Sequence, residues 1–202
     1  MGLYDAYLAA RIRLSDASLP RTVALVVTET DLLQPGAYDT LEDCFVWAFD
    51  HGAERVLVYV SVLDEAAVPT LRERLADVNA PRDIEVRDPD AADPAAAPIQ
   101  ISIGLGGKAE FAGAVRGIAE AVDAGDLDPA GVTADRVEDQ LVFPTDPDLL
   151  IKTGAERLSD FMIWQSAYAE LYFTDVNWDH FRKRDYLRAL RDYQERQRRF
   201  GR

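Results

Sequence analysis

The chain reads as an α/β protein with a mostly parallel central sheet of about six strands flanked by helices. Two observations predict this. The run from Thr22 to Val27 is continuously apolar rather than alternating, the pattern of a strand buried on both faces of a parallel sheet. Further apolar runs alternate along the chain with stretches whose apolar residues recur at helical spacing, as βα units require. At 202 residues the chain suits a single domain, expected to span residues 1–202, with a core of ordinary size.

The elements follow in order. Leu3, Tyr4, Tyr7, Leu8 and Ile12 fall at helical spacing and predict an N-terminal helix that ends before Leu19-Pro20. The first strand runs from Thr22 to Val27, and its exit loop, from Thr28, is where an open α/β sheet places chemistry. Thr40 and Asp43 have the spacing of a capping box, which predicts a helix through Leu41, Phe45, Val46 and Phe49 that stops at Gly52. Val56 to Val62 is the second strand. Val68, Leu71, Leu75 and Val78 mark the next helix, Ile84 to Val86 a short strand, and Ile99 to Ile103 another. Between them, residues 88–98 form a Pro- and Ala-rich loop.

Gly104 to Ala109 fits a G-x-G-x-x-A dinucleotide pattern on paper. The acid expected about twenty residues on does not end a second strand, because Asp126 and Asp128 follow Gly125 in a loop. A tight strand-to-helix turn accounts for the glycines equally well. A helix through Val115, Ile118 and Val122 follows, then a short one capped by Thr133.

The most informative stretch is Asp148 to Asp175. It predicts a buried strand (Leu149 to Ile151), a polar turn, a helix from about Ser159, and a last strand at Leu171 to Phe173. Lys152, Arg157 and Ser159 lie past the carboxyl end of the first of these strands and beside a helix start, where backbone amides favour anions. The plain alternative is a basic turn that caps the helix. From His180 a long amphipathic helix is expected nearly to the end, with Tyr186, Leu190, Tyr193 and Gln197 along one stripe.

Composition limits the function classes. No apolar run approaches the ~20 residues of a membrane span, and the segment around Asp5, Arg11 and Arg13 does not read as a signal peptide. A soluble, cytoplasmic protein is therefore expected. The lone Cys44 excludes an intramolecular disulfide framework. The net charge of -14 is uneven, because residues 182–202 carry nine basic against three acidic residues, a tail of +6 on a body of -20. Such a body argues against nucleic acid as a partner. The tail reads first as a solvated helix face, with peripheral contact to anionic lipid or a diphosphate as its functional alternative. His51 and His180 belong to no ligand cluster, and no nucleophilic triad is visible.

Asp148 to Asp175 resembles the C-terminal signature of the cis-prenyltransferases, the undecaprenyl diphosphate synthase family. That signature runs roughly Asp-Leu-Leu-Ile-Arg-Thr-Ser-Gly-Glu-x-Arg-Leu-Ser-Asn-Phe, then Trp-Gln-x-Ala-Tyr-Ala-Glu-Leu-Tyr-Phe. The resemblance implies an undecaprenyl diphosphate synthase-like fold. It also implies that Lys152 (arginine in the family), Arg157 and Ser159 bind isopentenyl diphosphate, and that Glu170 is a magnesium-associated carboxylate reaching across a dimer interface. Two departures weaken the site: the turn is one residue shorter, and lysine lacks the planar fork that grips two phosphate oxygens.

The N-terminal half departs further. Leu19, Pro20, Arg21, Val23 and Ala24 fit the family's first strand, yet Thr28 stands where the family has its metal-binding Asp. Glu29 and Thr30 replace the Gly-Asn of its phosphate loop. A carboxylate ~5 Å from a phosphate oxygen costs on the order of 3 kcal/mol at an effective dielectric near 20. No catalytic residue is thus expected to be intact here, although Glu29 or Asp31 could replace the missing ligand. At the other end, Arg199-Phe200-Gly201 matches the Arg-x-Gly that non-catalytic subunits of heteromeric members send into a partner's active site. The expectation is a non-catalytic subunit that dimerises with an active paralogue, with magnesium bound only in that complex. The alternatives are a homodimeric synthase with a rewired metal site and a lipid-carrier binding protein.

Overall fold

A computed structural model describes residues 2–87, 96–104, 106–143, 145–154 and 162–196. In chain order the elements are α1 (Leu3–Arg13), β1 (Thr22–Thr28), α2 (Glu29–Leu32), α3 (Ala37–Asp50), β2 (Arg55–Ser61), α4 (Val68–Ala76) and β3 (Ile84–Arg87). They continue with β4 (Ile99–Gly104), α5 (Gly107–Asp123), α6 (Ala134–Glu138), β5 (Leu149–Thr153), β6 (Glu170–Thr174) and α7 (Lys183–Glu195). The strands form one six-stranded sheet in the order β3-β4-β2-β1-β5-β6, and every neighbouring pair is parallel.

The continuous apolar run of β1 is explained by its central place. Val23, Leu25 and Val27 join the core beneath α1, α3, α4 and α7, while Ala24 and Val26 join a smaller cluster on the other face with Leu57, Leu150, Phe143 and Met162. Each such side chain contributes about 1.5–3 kcal/mol when fully buried, so the sheet needs apolar residues in both registers. On α7, Tyr186, Leu190 and Tyr193 are buried as the spacing predicts. The ring of Tyr186 lies 6.2 Å from that of Trp47 on α3.

The parallel arrangement brings the carboxyl ends of all strands to one edge. From β1 the chain passes to β2 on one side and much later returns to β5 on the other. The order therefore reverses between β1 and β5, the crevice in which open α/β sheets bind ligands.

Several expected boundaries move. The helix predicted from Thr40 begins one turn earlier, after Gly36, whose φ of 75° lies in the left-handed region that glycine tolerates. Thr40 is inside the helix, and its hydroxyl donates to the Gly36 carbonyl (3.1 Å). The last helix starts at Lys183 rather than His180, because the Asp185 carboxylate accepts the Arg182 amide and closes the helix there; Gln197 lies outside the described residues. The exit of β1 folds into the short α2 rather than the loop expected there. Most of the helix expected from Ser159 lies outside the described residues. From Met162, whose φ is 40°, the chain makes turns and one 3-10 turn at Gln165–Ala167 instead.

Candidate functional site

Lys152 occupies the fourth position of β5, level with Val26 on β1 and Phe173 on β6. All five residues of β5 are buried, and Lys152 is only 2% exposed. Strand alternation sets Lys152 on the face of Leu150, the face closed by Phe143 and Met162. A buried ammonium is costly unless an anion or other acceptors face it, and this one lies at the reversal point of the sheet. Beside it, the Thr153 hydroxyl is buried with no hydrogen-bond partner among the described residues. Gly154 then turns the chain away at φ 80°, its amide donating to the Val176 carbonyl (3.0 Å). Arg157 and Ser159 lie outside the described residues.

The neighbouring end of β1 is built differently. Thr28 caps α2: its amide and hydroxyl both donate to Asp31 Oδ2 (2.9 and 2.8 Å), and the Asp31 amide donates back to Thr28 Oγ1 (3.1 Å). Glu29 reaches sideways, and its Oε2 accepts the amides of Leu63 (2.9 Å) and Asp64 (3.4 Å) beyond β2. Both acids that could have served as replacement metal ligands are thus engaged in holding the backbone. Among the described residues, no three His, Cys, Asp or Glu side chains gather to hold a metal ion. The residues present do not fit a magnesium site at this strand end.

Glu170 cannot complete one within the same chain. It opens β6 and pairs with Leu149, which pairs with Val23 at the start of β1. Thr28 lies five residues farther along, about 16 Å at ~3.3 Å per residue. Glu170 therefore sits at the opposite edge of the sheet, where Arg196 Nη1 approaches its Oε2 (3.4 Å) and donates to the Leu171 carbonyl (2.7 Å). Arg199 and Gly201 lie outside the described residues.

Residues without a sequence signature brace the strand starts and the segments around β5. Asp148 Oδ2 accepts the amides of Arg21 (2.7 Å) and Thr22 (3.0 Å), which ties the start of β5 to the start of β1. Glu110 on α5 accepts from the Val142 amide and the Gln165 side chain, each at 3.0 Å, and so spans the two segments that flank β5. Gln165 also donates to the Phe143 carbonyl (3.3 Å). Burial pushes the Glu110 carboxyl up, opposed by these hydrogen bonds. Gly107 opens α5 against the same segment, since a Cβ there would lie 2.9 Å from the Ile163 amide nitrogen. Gly107 thus serves a close approach of α5 to the segment after β5. An acid one turn before the buried Ala114, on the inward side of α5, is the only sequence signal for Glu110, and it is a weak one.

A six-stranded, wholly parallel sheet whose order reverses between β1 and β5 defines a protein of the doubly wound α/β class. The chain belongs to the family described as putative undecaprenyl diphosphate synthase, whose model matches residues 79–201. It is 49% identical over 109 residues to a tritrans,polycis-undecaprenyl-diphosphate synthase (geranylgeranyl-diphosphate specific) of Methanocaldococcus jannaschii, across 51% of this chain and 39% of the relative. It is 46% identical over 111 residues to an isoprenyl transferase of Thermus thermophilus, across 52% of this chain and 42% of the relative. The chain thus spans about two fifths of the length of these curated relatives. Among solved structures, lavandulyl diphosphate synthase from Lavandula x intermedia, in complex with dimethylallyl diphosphate, shares the fold with a TM-score of 0.72 and 23% identity. That likeness covers 91% of this chain and 99% of the other. A probable undecaprenyl diphosphate synthase from Campylobacter jejuni shares it at a TM-score of 0.65 and 17% identity, across 92% and 100%. The family match contains Lys152 and Glu170 but begins after Thr28.

Proposed function

We propose that this chain is a cis-prenyltransferase-like protein of polyprenyl diphosphate synthesis, folded as one domain, that acts as a non-catalytic subunit beside an active paralogue in the cytoplasm. The observation that carries this reading is the closed ring of Thr28 and Asp31 at the end of β1. There Asp31, one of the two acids that could replace the missing ligand, is spent on the amide and hydroxyl of Thr28. Lys152, with Arg157 and Ser159, would hold the diphosphate of isopentenyl diphosphate. Glu170, Arg199 and Gly201 would be offered to the partner across a dimer interface, because Glu170 lies too far from Thr28 to act within its own chain. Magnesium would enter with the partner's carboxylates.

The alternative, a synthase active by itself with a rewired metal site, is supported by the names of the relatives, which are synthases and transferases. Incorporation of labelled isopentenyl diphosphate separates the two. The chain alone should elongate nothing, and it should raise the activity of a homologue that retains an Asp at the position of Thr28. Magnesium-dependent elongation by this chain alone would overturn the subunit reading.

A further inference from the structure

Glu29, Asp31 and Asp64 follow β1 and β2 at the carboxyl edge of the sheet, and each is turned to the protein's own donors. Asp31 Oδ2 accepts from the amide and hydroxyl of Thr28 (2.9 and 2.8 Å). Glu29 Oε2 accepts the amides of Leu63 and Asp64 (2.9 and 3.4 Å), and Asp64 Oδ1 accepts the Ala66 amide (2.9 Å). Turning any of these acids to a metal would strand a donor that it now satisfies. Magnesium on a phosphorylated ligand is ordinarily held on the protein side by one or two carboxylates, and among the described residues no three His, Cys, Asp or Glu side chains gather for a metal. What the neighbouring strand offers is a cation. Lys152 is 2% exposed and level with Val26, two residues before Thr28.

We propose that the Lys152 site takes diphosphate in its metal-free form, so that magnesium competes with the protein for this ligand instead of bridging the two. The inference rests on the reading of Lys152 as a diphosphate ligand and adds the ionic form that the site selects. Free diphosphate carries two more negative charges than its magnesium complex. A buried ammonium, little screened by water, therefore attracts the free form more strongly. Lysine binds phosphate as a point charge, and its ammonium has three donors and no lone pair for a metal. A magnesium ion beside it would set two cations together while the carboxylates of Glu29 and Asp31 stay engaged elsewhere. The magnesium that the family resemblance implies thus has no protein ligand at this strand end, and the charge it would neutralise is the charge that Lys152 requires.

Titration calorimetry of the full chain with inorganic diphosphate decides it, run in EDTA and in MgCl2 at matched ionic strength. The chain should bind in EDTA. With free magnesium at about ten times its dissociation constant for diphosphate, the apparent affinity should fall roughly tenfold, because only the metal-free fraction binds. Glu29→Gln and Asp31→Ala should show the same fall, since neither acid holds the metal. Affinity that rises with magnesium, or is unchanged by it, would overturn the proposal and leave Lys152 with the diphosphate. A fall that either variant alters would also overturn it, by giving that acid a metal. Absence of binding in both solutions would overturn the reading of Lys152 itself, and the proposal with it. The comparison is made on the wild-type chain, so it stands whether or not a variant folds.

Discussion

The carboxyl ends of β1 and β5 are neighbours in the sheet and differ in what their polar groups do. At β1 the hydroxyl of Thr28 and the carboxylates of Glu29 and Asp31 are all satisfied by nearby groups, chiefly backbone amides. At β5 a lysine is buried, and the hydroxyl next to it has no partner among the described residues. Fully satisfied polar groups stabilise a loop and leave little to offer a ligand. A buried lysine is costly unless it is paired, which is why the proposed function gives Lys152 the diphosphate. The same contrast divides the chain, for the family match begins at residue 79, after β1 and β2.

Five substitutions at four residues can break or sharpen this contrast. The largest effect is expected from Lys152→Met, which keeps the volume and removes the charge. A charge-assisted hydrogen bond is worth about 1.5–3 kcal/mol, so affinity for inorganic diphosphate by titration calorimetry should fall roughly 10- to 100-fold. Unchanged affinity would remove Lys152 from the site.

Next comes Glu110, which braces the segments around β5. Glu110→Ala strands the Val142 amide and the Gln165 side chain and should cost about 1–3 kcal/mol in urea unfolding. Glu110→Gln keeps an accepting oxygen and tests the charge. Burial raises the Glu110 carboxyl, so the folded state holds this proton more tightly than the unfolded chain does. The stability it contributes is full below the ordinary carboxylate range and lost as pH rises through the raised value. The difference in stability between wild type and Glu110→Gln should follow that slope, and a flat difference would place the proton elsewhere.

A smaller effect, about 1 kcal/mol, is expected for Asp31→Ala, which opens the cap of α2. Diphosphate binding should not change; if it falls, the two strand ends are not separate in role. The smallest belongs to Glu29→Gln. It leaves an oxygen for the Leu63 and Asp64 amides and should change the stability read by urea unfolding by less than ~0.5 kcal/mol.

The strands were legible because burial on both faces of a parallel sheet forces continuous apolar runs, as at Val23 to Val27. The helix of α7 was legible from the spacing of Tyr186, Leu190 and Tyr193. The caps were not. Thr28 and Asp31 have the same spacing as Thr40 and Asp43, and only the first pair forms a capping box. Glu110 has no local signature because its two partners lie 32 and 55 residues away.

By itself, then, the sequence determined the alternation of strands and helices, the resemblance carried by Asp148 to Asp175, and the missing acid at Thr28. Those properties are written in local composition and need no partner in space. Tertiary structure decided which Thr-x-x-Asp became a cap, because Gly36 in the left-handed region starts α3 a turn before Thr40. It also decided that Lys152 is buried beside β1 while Glu170 stands at the far edge. Parallel pairing sets the register between strands more than a hundred residues apart, and no local pattern encodes that distance.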